Sequence, residues 1–253
     1  MPELEAPDGT LLHYEVFGED GARPVPVVLL HGFAADLHTN WVRPGVVGAL
    51  TAAGWRVVAA DARGHGRSGK PHDDASYAGT VMVDDVSALL DHLGADAAHV
   101  AGYSMGAYTA LRVAIGDPRA RSLVLGGVGG RVLQRGVVDR RAIADGLVAE
   151  DRRTITDPTA RAFRFFAEAT KADRFALAAV QRALAPPLPD LSTVPVPTLV
   201  VAGEADTMAG AVGDLAAVIP GAKAVTVPGD HINVPTKPEF AAAIADFLAG
   251  VPA

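Results

Sequence analysis

The stretch Gly102-Tyr103-Ser104-Met105-Gly106 decides how this chain folds. The apolar run Ala97–Tyr103 predicts a buried strand, and Met105–Ile115 has the pattern of a helix. A serine on such a sharp strand-to-helix turn is held clear of its own backbone, and glycines two residues away on either side let the strand and helix approach each other. We therefore interpret Ser104 as a nucleophile, the simpler alternative being a turn bounded by glycines.

Strands and helices alternate along most of the chain on both sides of this turn. The alternation predicts an α/β fold with a mostly parallel, doubly wound sheet of eight strands, in which two short initial strands form an antiparallel edge. The loop Gly18–Pro24 separates that edge from the parallel strands. The predicted strands are Glu3–Ala6, Leu11–Phe17, Val25–His31, Trp55–Asp61, Ala97–Tyr103, Ser122–Gly127, Thr198–Gly203 and Lys223–Val227, and the predicted helices are Val42–Ala53, Tyr77–Leu93, Met105–Ile115 and Pro238–Ala249.

The segment 131–196, which we call the helical insertion, interrupts the alternation after the sixth strand. It has no strand pattern, and in 159–170 one helix face collects apolar side chains while Arg164 and Glu168 form an i,i+4 pair on an exposed face. We expect one domain, with residues 1–130 and 197–253 as its core and the helical insertion as a lid. Phe163 and Phe166 are expected to line an apolar pocket wall, or alternatively to pack inside the lid.

Composition limits the possible functions. The chain has 253 residues, a net charge of −7 and no cysteine, so it offers neither a disulfide nor a thiolate, and a nucleic-acid partner has no electrostatic support. The first ten residues lack the pattern of a signal peptide, and no apolar stretch is long enough to span a bilayer. We expect a cytoplasmic monomer or homodimer that acts on a small molecule without a membrane or nucleic-acid partner.

A serine needs a base, and His231 is the one histidine that follows Ser104 in the chain. It lies just beyond the last short strand, at the carboxyl edge of the sheet where ligands gather in open α/β folds. The acid that orients the histidine must lie between the two, and Asp206 follows the strand Thr198–Gly203 there. Glu204, in the same turn, is the alternative acid.

An oxyanion that forms at the serine needs two fixed N–H donors. The Met105 amide lies directly after the nucleophile and at a helix N-terminus, so we expect it to be one donor. We expect the Phe33 amide to be the other. His31, at the end of its strand, is interpreted as a residue that fixes this loop by hydrogen bonds, or that borders the substrate pocket.

The sequence Gly64-His65-Gly66-Arg67-Ser68-Gly69 follows a strand and matches a dinucleotide-binding pattern. We reject that interpretation because Pro71 disfavours the helix that the pattern must open. His65, His72, Asp73 and Asp74 lack a recognised metal-ligand spacing, and we interpret them as solvated loop residues. No cofactor and no metal are expected.

Together these motifs resemble the α/β-hydrolase superfamily, over nearly the whole chain outside the helical insertion. The resemblance is strongest to cofactor-free haloperoxidase-like esterases, enol-lactonases and ring-fission-product hydrolases. It implies the α/β-hydrolase fold, with Ser104 as nucleophile, Asp206 as acid, His231 as base and the Phe33 and Met105 amides as oxyanion donors. Haloalkane dehalogenases and epoxide hydrolases resemble the chain less, since they have aspartate at the position of Ser104. The matching segments are His31–Phe33, Asp61–Ser68, Gly102–Gly106, Gly203–Asp206 and Gly229–His231.

We expect a serine hydrolase that cleaves a small or medium carboxylic ester or lactone through an acyl-enzyme on Ser104. Two alternatives use the same residues: hydrolysis of a carbon–carbon bond in a diketone-like acid, and a ligand-sensing receptor with slow turnover. The helical insertion has eleven cationic and eight acidic side chains, whereas the rest of the chain is acidic. This balance is compatible with an anionic substrate, or with arginines that simply cover exposed helix faces.

Overall fold

Eight strands form one sheet in the order β1-β2-β4-β3-β5-β6-β7-β8 within residues 3–18, 23–134, 139–184 and 186–251, which the computed structural model describes. The first two strands run antiparallel at the edge and the other six are parallel, as predicted. Most of the predicted loop 18–24 lies outside the described residues. The strands are β1 (Glu3–Glu5), β2 (Leu11–Phe17), β3 (Val27–Leu30), β4 (Val57–Ala60), β5 (Ala98–Tyr103), β6 (Ala120–Gly126), β7 (Thr198–Gly203) and β8 (Lys223–Val227).

The central strands are buried on both faces, which explains their continuous apolar runs. In β3, Val28 and Leu30 pack into one core, whereas Val27 and Leu29 pack into another on the opposite face, because successive side chains point to opposite sides of a strand. Helices cover both faces and leave the carboxyl edge of the sheet to the loops.

Eight α-helices lie in the described ranges, and none of them is long and apolar enough to cross a membrane. Two begin later than predicted. A π-helical turn, His38–Val42, and Gly45 precede the first, while a 3-10 turn, Asp74–Tyr77, and Gly79 precede the second. The helices are α1 (Val46–Ala52), α2 (Val81–His92), α3 (Met105–Gly116), α4 (Arg140–Val148), α5 (Pro158–Ala169), α6 (Arg174–Arg182), α7 (Val212–Ala216) and α8 (Pro238–Ala249).

The helical insertion contributes α4, α5 and α6, which begin at the aspartate caps Asp139, Asp157 and Asp173. Their apolar faces form a third core, which also takes in Phe33 and Tyr77 from the neighbouring loops. The Thr170 hydroxyl donates to the carbonyl of Ala34 at 3.0 Å, so α5 is tied to the loop after β3. Residues 135–138 and 185 of this segment lie outside the described ranges, and its action as a lid stays a prediction.

Arg164 corrects one expectation about the helical insertion. It pairs with Glu168 at 2.7 Å, as the i,i+4 spacing predicted. The guanidinium is buried rather than solvated, however, because its Nη1 donates to the carbonyl oxygens of Gly146 and Ala149 at 2.9 and 2.8 Å. These carbonyls lie at the end of α4, where a cation satisfies the last backbone acceptors of the helix.

Candidate active site

The turn between β5 and α3 holds Ser104 in a strained backbone conformation, with φ 50° and ψ −112°. Both flanking glycines are required by close backbone approach. A Cβ on Gly102 would collide with the carbonyl oxygen of Gly106, and a Cβ on Gly106 would collide with the carbonyl oxygen of Leu30. The Ser104 side chain does not cap α3, so its hydroxyl is available to another partner.

That partner is His231, which lies in the loop after β8. Its Nε2 lies 3.0 Å from the Ser104 Oγ, and its Nδ1 lies 2.8 Å from Oδ2 of Asp206. Because a carboxylate only accepts, Nδ1 carries the proton and Nε2 is the acceptor that faces the serine hydroxyl. The loops after three strands therefore meet here, and Ser104, His231 and Asp206 form one hydrogen-bonded chain, which we call the relay.

Asp206 is buried in the turn after β7, and its two carboxylate oxygens have separate partners. Oδ1 accepts from the amides of Met208 and Ala209 at 3.0 and 2.9 Å, which leaves Oδ2 directed at His231. Glu204, the alternative acid, is exposed instead. The structure therefore brings Asp206, and not Glu204, to the histidine.

Tyr103 supports the histidine from the residue before the nucleophile, a contact that the sequence analysis did not anticipate. Its hydroxyl donates to the backbone carbonyl of His231 at 2.6 Å, and its ring lies 5.4 Å from the imidazole. Burial, together with the nearby carboxylate of Asp206, raises the pKa of the Tyr103 phenol, so the hydroxyl stays protonated and can donate.

The two predicted oxyanion donors lie beside Ser104 on the wall of one cavity. Within the described part of the chain, the amides of Phe33 and Met105 donate to no protein acceptor, so both are available to a ligand. The Met105 amide is one of the unpaired amides at the start of α3.

His31 fixes the loop that presents Phe33. Its Nε2 accepts from the Ala62 amide at 3.0 Å, so the other nitrogen carries the proton and Nδ1 donates to the Gly32 carbonyl at 2.8 Å. The ring is buried and does not border the cavity next to Ser104. The structure places His31 where the hydrogen-bonding interpretation expected it.

Asp61 joins the loop after β3 to the loop after β4, a role that the sequence analysis missed. Its Oδ1 accepts from the Leu37 amide and its Oδ2 from the Arg67 amide, both at 2.8 Å. The sequence contained a signal for this contact: a single carboxylate placed between two predicted loops that lie at the same edge of the sheet.

His65 is buried, so the expectation of a solvated loop residue is wrong for it. Its Nδ1 donates to the Arg63 carbonyl at 3.0 Å, and its ring packs edge-on against the Phe33 ring, with centroids 5.7 Å apart. Burial and, to a smaller extent, the neighbouring His31 ring lower the pKa of His65 to about 3. His65 therefore supports the Phe33 loop as a neutral ring.

The remaining residues of the two rejected motifs lie apart from the site. His72 is exposed and contacts Asp173, and no group of three or more metal-binding side chains occurs in the described residues. In 64–69, the Gly64 amide donates to the Gly69 carbonyl at 2.8 Å, which closes a tight loop. The next element is the short 3-10 turn Asp74–Tyr77, so no helix opens directly from this loop as a dinucleotide site requires.

A cavity of about 440 Å³ opens beside Ser104 and His231. Phe163 from α5 lines it, with its ring 5.2 Å from that of Phe33. Phe166 is partly buried and packs against the core of the helical insertion without lining the cavity, so of the two predicted phenylalanines the structure brings only Phe163 to the cavity. The apolar lining from the helical insertion also includes Ile143, Val180 and Leu188.

The fold and the site define a class of protein. The family model described as "Alpha/beta hydrolase family" matches residues 27–246, which is most of the chain. The chain belongs to the alpha/beta hydrolase family, and the resemblance inferred from its motifs is confirmed.

Individual proteins that are similar to the chain are consistent with its membership of this family. A hydrolase from Pseudomonas aeruginosa PA01 is 29% identical, with 98% of each chain covered and a TM-score of 0.74. The enol-lactonase from Burkholderia xenovorans LB400 is 27% identical, covering 98% of this chain and 100% of the other, with a TM-score of 0.73. The 2-hydroxy-6-oxo-6-phenylhexa-2,4-dienoate hydrolase from Comamonas testosteroni is 37% identical over 47% of this chain and 41% of its own length. The chain spans less than half the length of the curated relatives that it matches.

Proposed function

We propose that this chain is a serine hydrolase that cleaves a small or medium carboxylic ester or lactone through an acyl-enzyme on Ser104. The observation that carries the proposal is the relay from Ser104 through His231 to Asp206, with distances of 3.0 and 2.8 Å, at the wall of a cavity. A hydroxyl paired with an unprotonated imidazole nitrogen is the arrangement that activates serine for acyl transfer.

In the first half of the reaction, the Ser104 Oγ attacks the carbonyl carbon while His231 Nε2 takes its proton. Asp206 holds the imidazolium that forms, and the amides of Phe33 and Met105 donate to the oxyanion. When the intermediate collapses, His231 returns the proton to the leaving oxygen and the carbon–oxygen bond of the ester breaks. With a lactone, that oxygen remains attached to the acyl group as a hydroxyl.

The second half repeats these steps with water. His231 Nε2 takes a proton from water, the hydroxide attacks the acyl carbon, and the same two amides hold the second oxyanion. The proton then passes to the Ser104 Oγ, which leaves as the free hydroxyl, and the carboxylic acid departs. These residues return to their starting protonation states after each turnover.

The test is labelling with a fluorophosphonate probe, followed by intact mass and peptide mapping, with Ser104→Ala alongside. We expect one adduct, on Ser104, and no adduct in the variant. Turnover of 4-nitrophenyl esters should be lost in Ser104→Ala while its circular dichroism stays that of the wild type. A kcat for the folded variant comparable to that of the wild type would refute the assignment.

Carbon–carbon bond hydrolysis is a second candidate, because the relative from Comamonas testosteroni is named as a dienoate hydrolase. Ser104 would attack a ketone carbonyl, a carbon–carbon bond would break, and His231 would deliver the proton to carbon rather than to oxygen. A vinylogous diketone acid and an aryl ester assayed side by side distinguish the two. A higher kcat/KM on the diketone acid would favour the second candidate.

A further inference from the structure

The cavity beside Ser104 contains arginines without acidic neighbours. Among the described residues, its lining includes Arg112, Arg131 and Arg140 but no aspartate and no glutamate. Arg112 lies on α3 and Arg140 begins α4, and both are half-buried, whereas Arg131 is exposed. The cavity that holds the predicted nucleophile therefore has positive charge in its lining.

Backbone carbonyls hold the two half-buried guanidiniums in place. Arg112 donates from Nη2 to the carbonyl oxygens of Pro186 and Pro187 at 2.9 and 3.1 Å. Arg140 donates from Nη2 to the Val180 carbonyl at 2.7 Å, near the end of α6. Both side chains therefore anchor on α6 and on the segment that follows it, and they are fixed before any ligand arrives.

Neither guanidinium is neutralised by these contacts. Within the described ranges, no carboxylate lies within 4.0 Å of Arg112 or Arg140, and burial lowers the pKa of both. The more deeply buried Arg63 and Arg164, in contrast, both pair with carboxylates. An arginine keeps its charge at neutral pH, so the first two retain donors and positive charge for an anion.

We propose that Arg112 and Arg140 form a subsite for a carboxylate at the end of the acyl group that Ser104 receives. This inference rests on the proposed function and specifies its substrate class: esters or lactones whose acyl chain ends in a carboxylate. Charge-assisted hydrogen bonds from guanidinium to carboxylate are about twice as strong as neutral ones, so the pair distinguishes acid from neutral acyl chains.

The geometry of α3 sets the distance between the two sites. Met105, Tyr108, Thr109 and Arg112 line the cavity at positions i, i+3, i+4 and i+7, so one helix face leads from the oxyanion donor to the arginine. Arg112 lies eight residues after Ser104, which is about 12 Å along the helix axis. Arg112 Nη1 donates to the Tyr108 carbonyl at 3.0 Å, so the guanidinium folds back towards the N-terminus of α3. We therefore expect a gap shorter than about 12 Å, which an acyl chain of roughly eight carbons would span.

The experiment compares mono-4-nitrophenyl suberate with its methyl ester, which differs mainly in charge. We expect a wild-type kcat/KM at least about tenfold higher on the anionic ester, and a loss of about tenfold on that ester alone in Arg112→Gln or Arg140→Gln. Arg153→Gln is the matched control: it removes one positive charge from the helical insertion, at an exposed residue paired with Asp151 and outside the cavity lining. The control should retain the wild-type preference.

A binding measurement separates this inference from the proposed function. Calorimetry on Ser104→Ala measures the affinity for suberate and for dimethyl suberate without turnover. If the wild type does not hydrolyse the esters but the variant binds suberate more tightly than dimethyl suberate, only the proposed ester reaction is refuted. Equal affinity for the two compounds, or glutamine variants that lose kcat/KM equally on both esters, would overturn the subsite. If a glutamine variant does not fold, Arg112→Lys and Arg140→Lys decide instead, and each should keep part of the preference for the anionic ester.

Discussion

The buried imidazole of His65 should make the stability of this protein fall in mild acid. His65 lies under the Phe33 loop, and burial holds its pKa at about 3 in the folded chain, against 6.5 for an ordinary histidine. Unfolding exposes the ring, so below pH 6.5 the unfolded chain binds a proton that the folded chain does not. The contribution to stability is therefore complete above pH 6.5 and is lost as the pH falls towards 3.

The size of the effect follows from the displacement of the pKa. At pH 4.5 the unfolded histidine is protonated and the folded one is not, and two pH units below 6.5 correspond to about 3 kcal/mol. The His65→Asn variant removes the titrating ring and keeps a donor near the position of Nδ1. It should lose stability at every pH through poorer packing, but it should not lose the additional 3 kcal/mol or so in acid.

The assay is urea unfolding of wild type and His65→Asn, followed by circular dichroism from pH 8.5 to pH 4.5. The difference between their unfolding free energies should stay constant from pH 8.5 to 7.5, then change by about 3 kcal/mol in favour of the variant by pH 4.5. Other titrating groups contribute to both curves and cancel in the difference. Parallel curves across the whole range would refute the reasoning, because the ring would then not be held neutral by burial.

Two further predictions concern the relay and the turn. Asp206→Asn should lower kcat on a 4-nitrophenyl ester by about 10⁴-fold, because the histidine loses its correct tautomer. Glu204→Gln should leave kcat within twofold, because Glu204 is exposed. The reverse order of the two effects would identify Glu204 as the acid. Gly106→Ala should yield a destabilised or unfolded protein, since the added Cβ meets the Leu30 carbonyl oxygen; a thermal midpoint equal to that of the wild type would show that the turn has more room than this contact allows.

The central features of the fold were predictable because they depend on local pattern and chain order. The Gly102–Gly106 stretch indicated a strand, a turn and a helix, and the alternation around it indicated the eight-stranded sheet. His231 could be selected because no other histidine follows Ser104. Parallel strands end at one edge of the sheet, so residues just after the strands could be expected to meet there, as Ser104, Asp206 and His231 do.

Contacts between loops were less predictable, because they depend on how two segments fit together. The carboxylate of Asp61 joins amides from two loops, and the burial of His65 depends on rings contributed by His31 and Phe33. Arg164 was expected in solvent from its helix face, but its long side chain reaches the carbonyls at the end of α4. Periodicity describes which face a residue occupies and not how far its side chain extends.

The core and the helical insertion contribute different properties to the site. Every residue of the relay, and both amides next to it, comes from the turns at the carboxyl edge of the sheet, where close glycine contacts fix the backbone. The helical insertion contributes cavity lining such as Phe163 and the guanidinium of Arg140. Interactions far from the reacting atoms determine which substrate binds, whereas rigid donors near those atoms stabilise the transition state. Substitutions in the helical insertion should therefore mainly change which acyl group is accepted. A relay held by three strand ends can then serve different substrates while its own geometry stays constant.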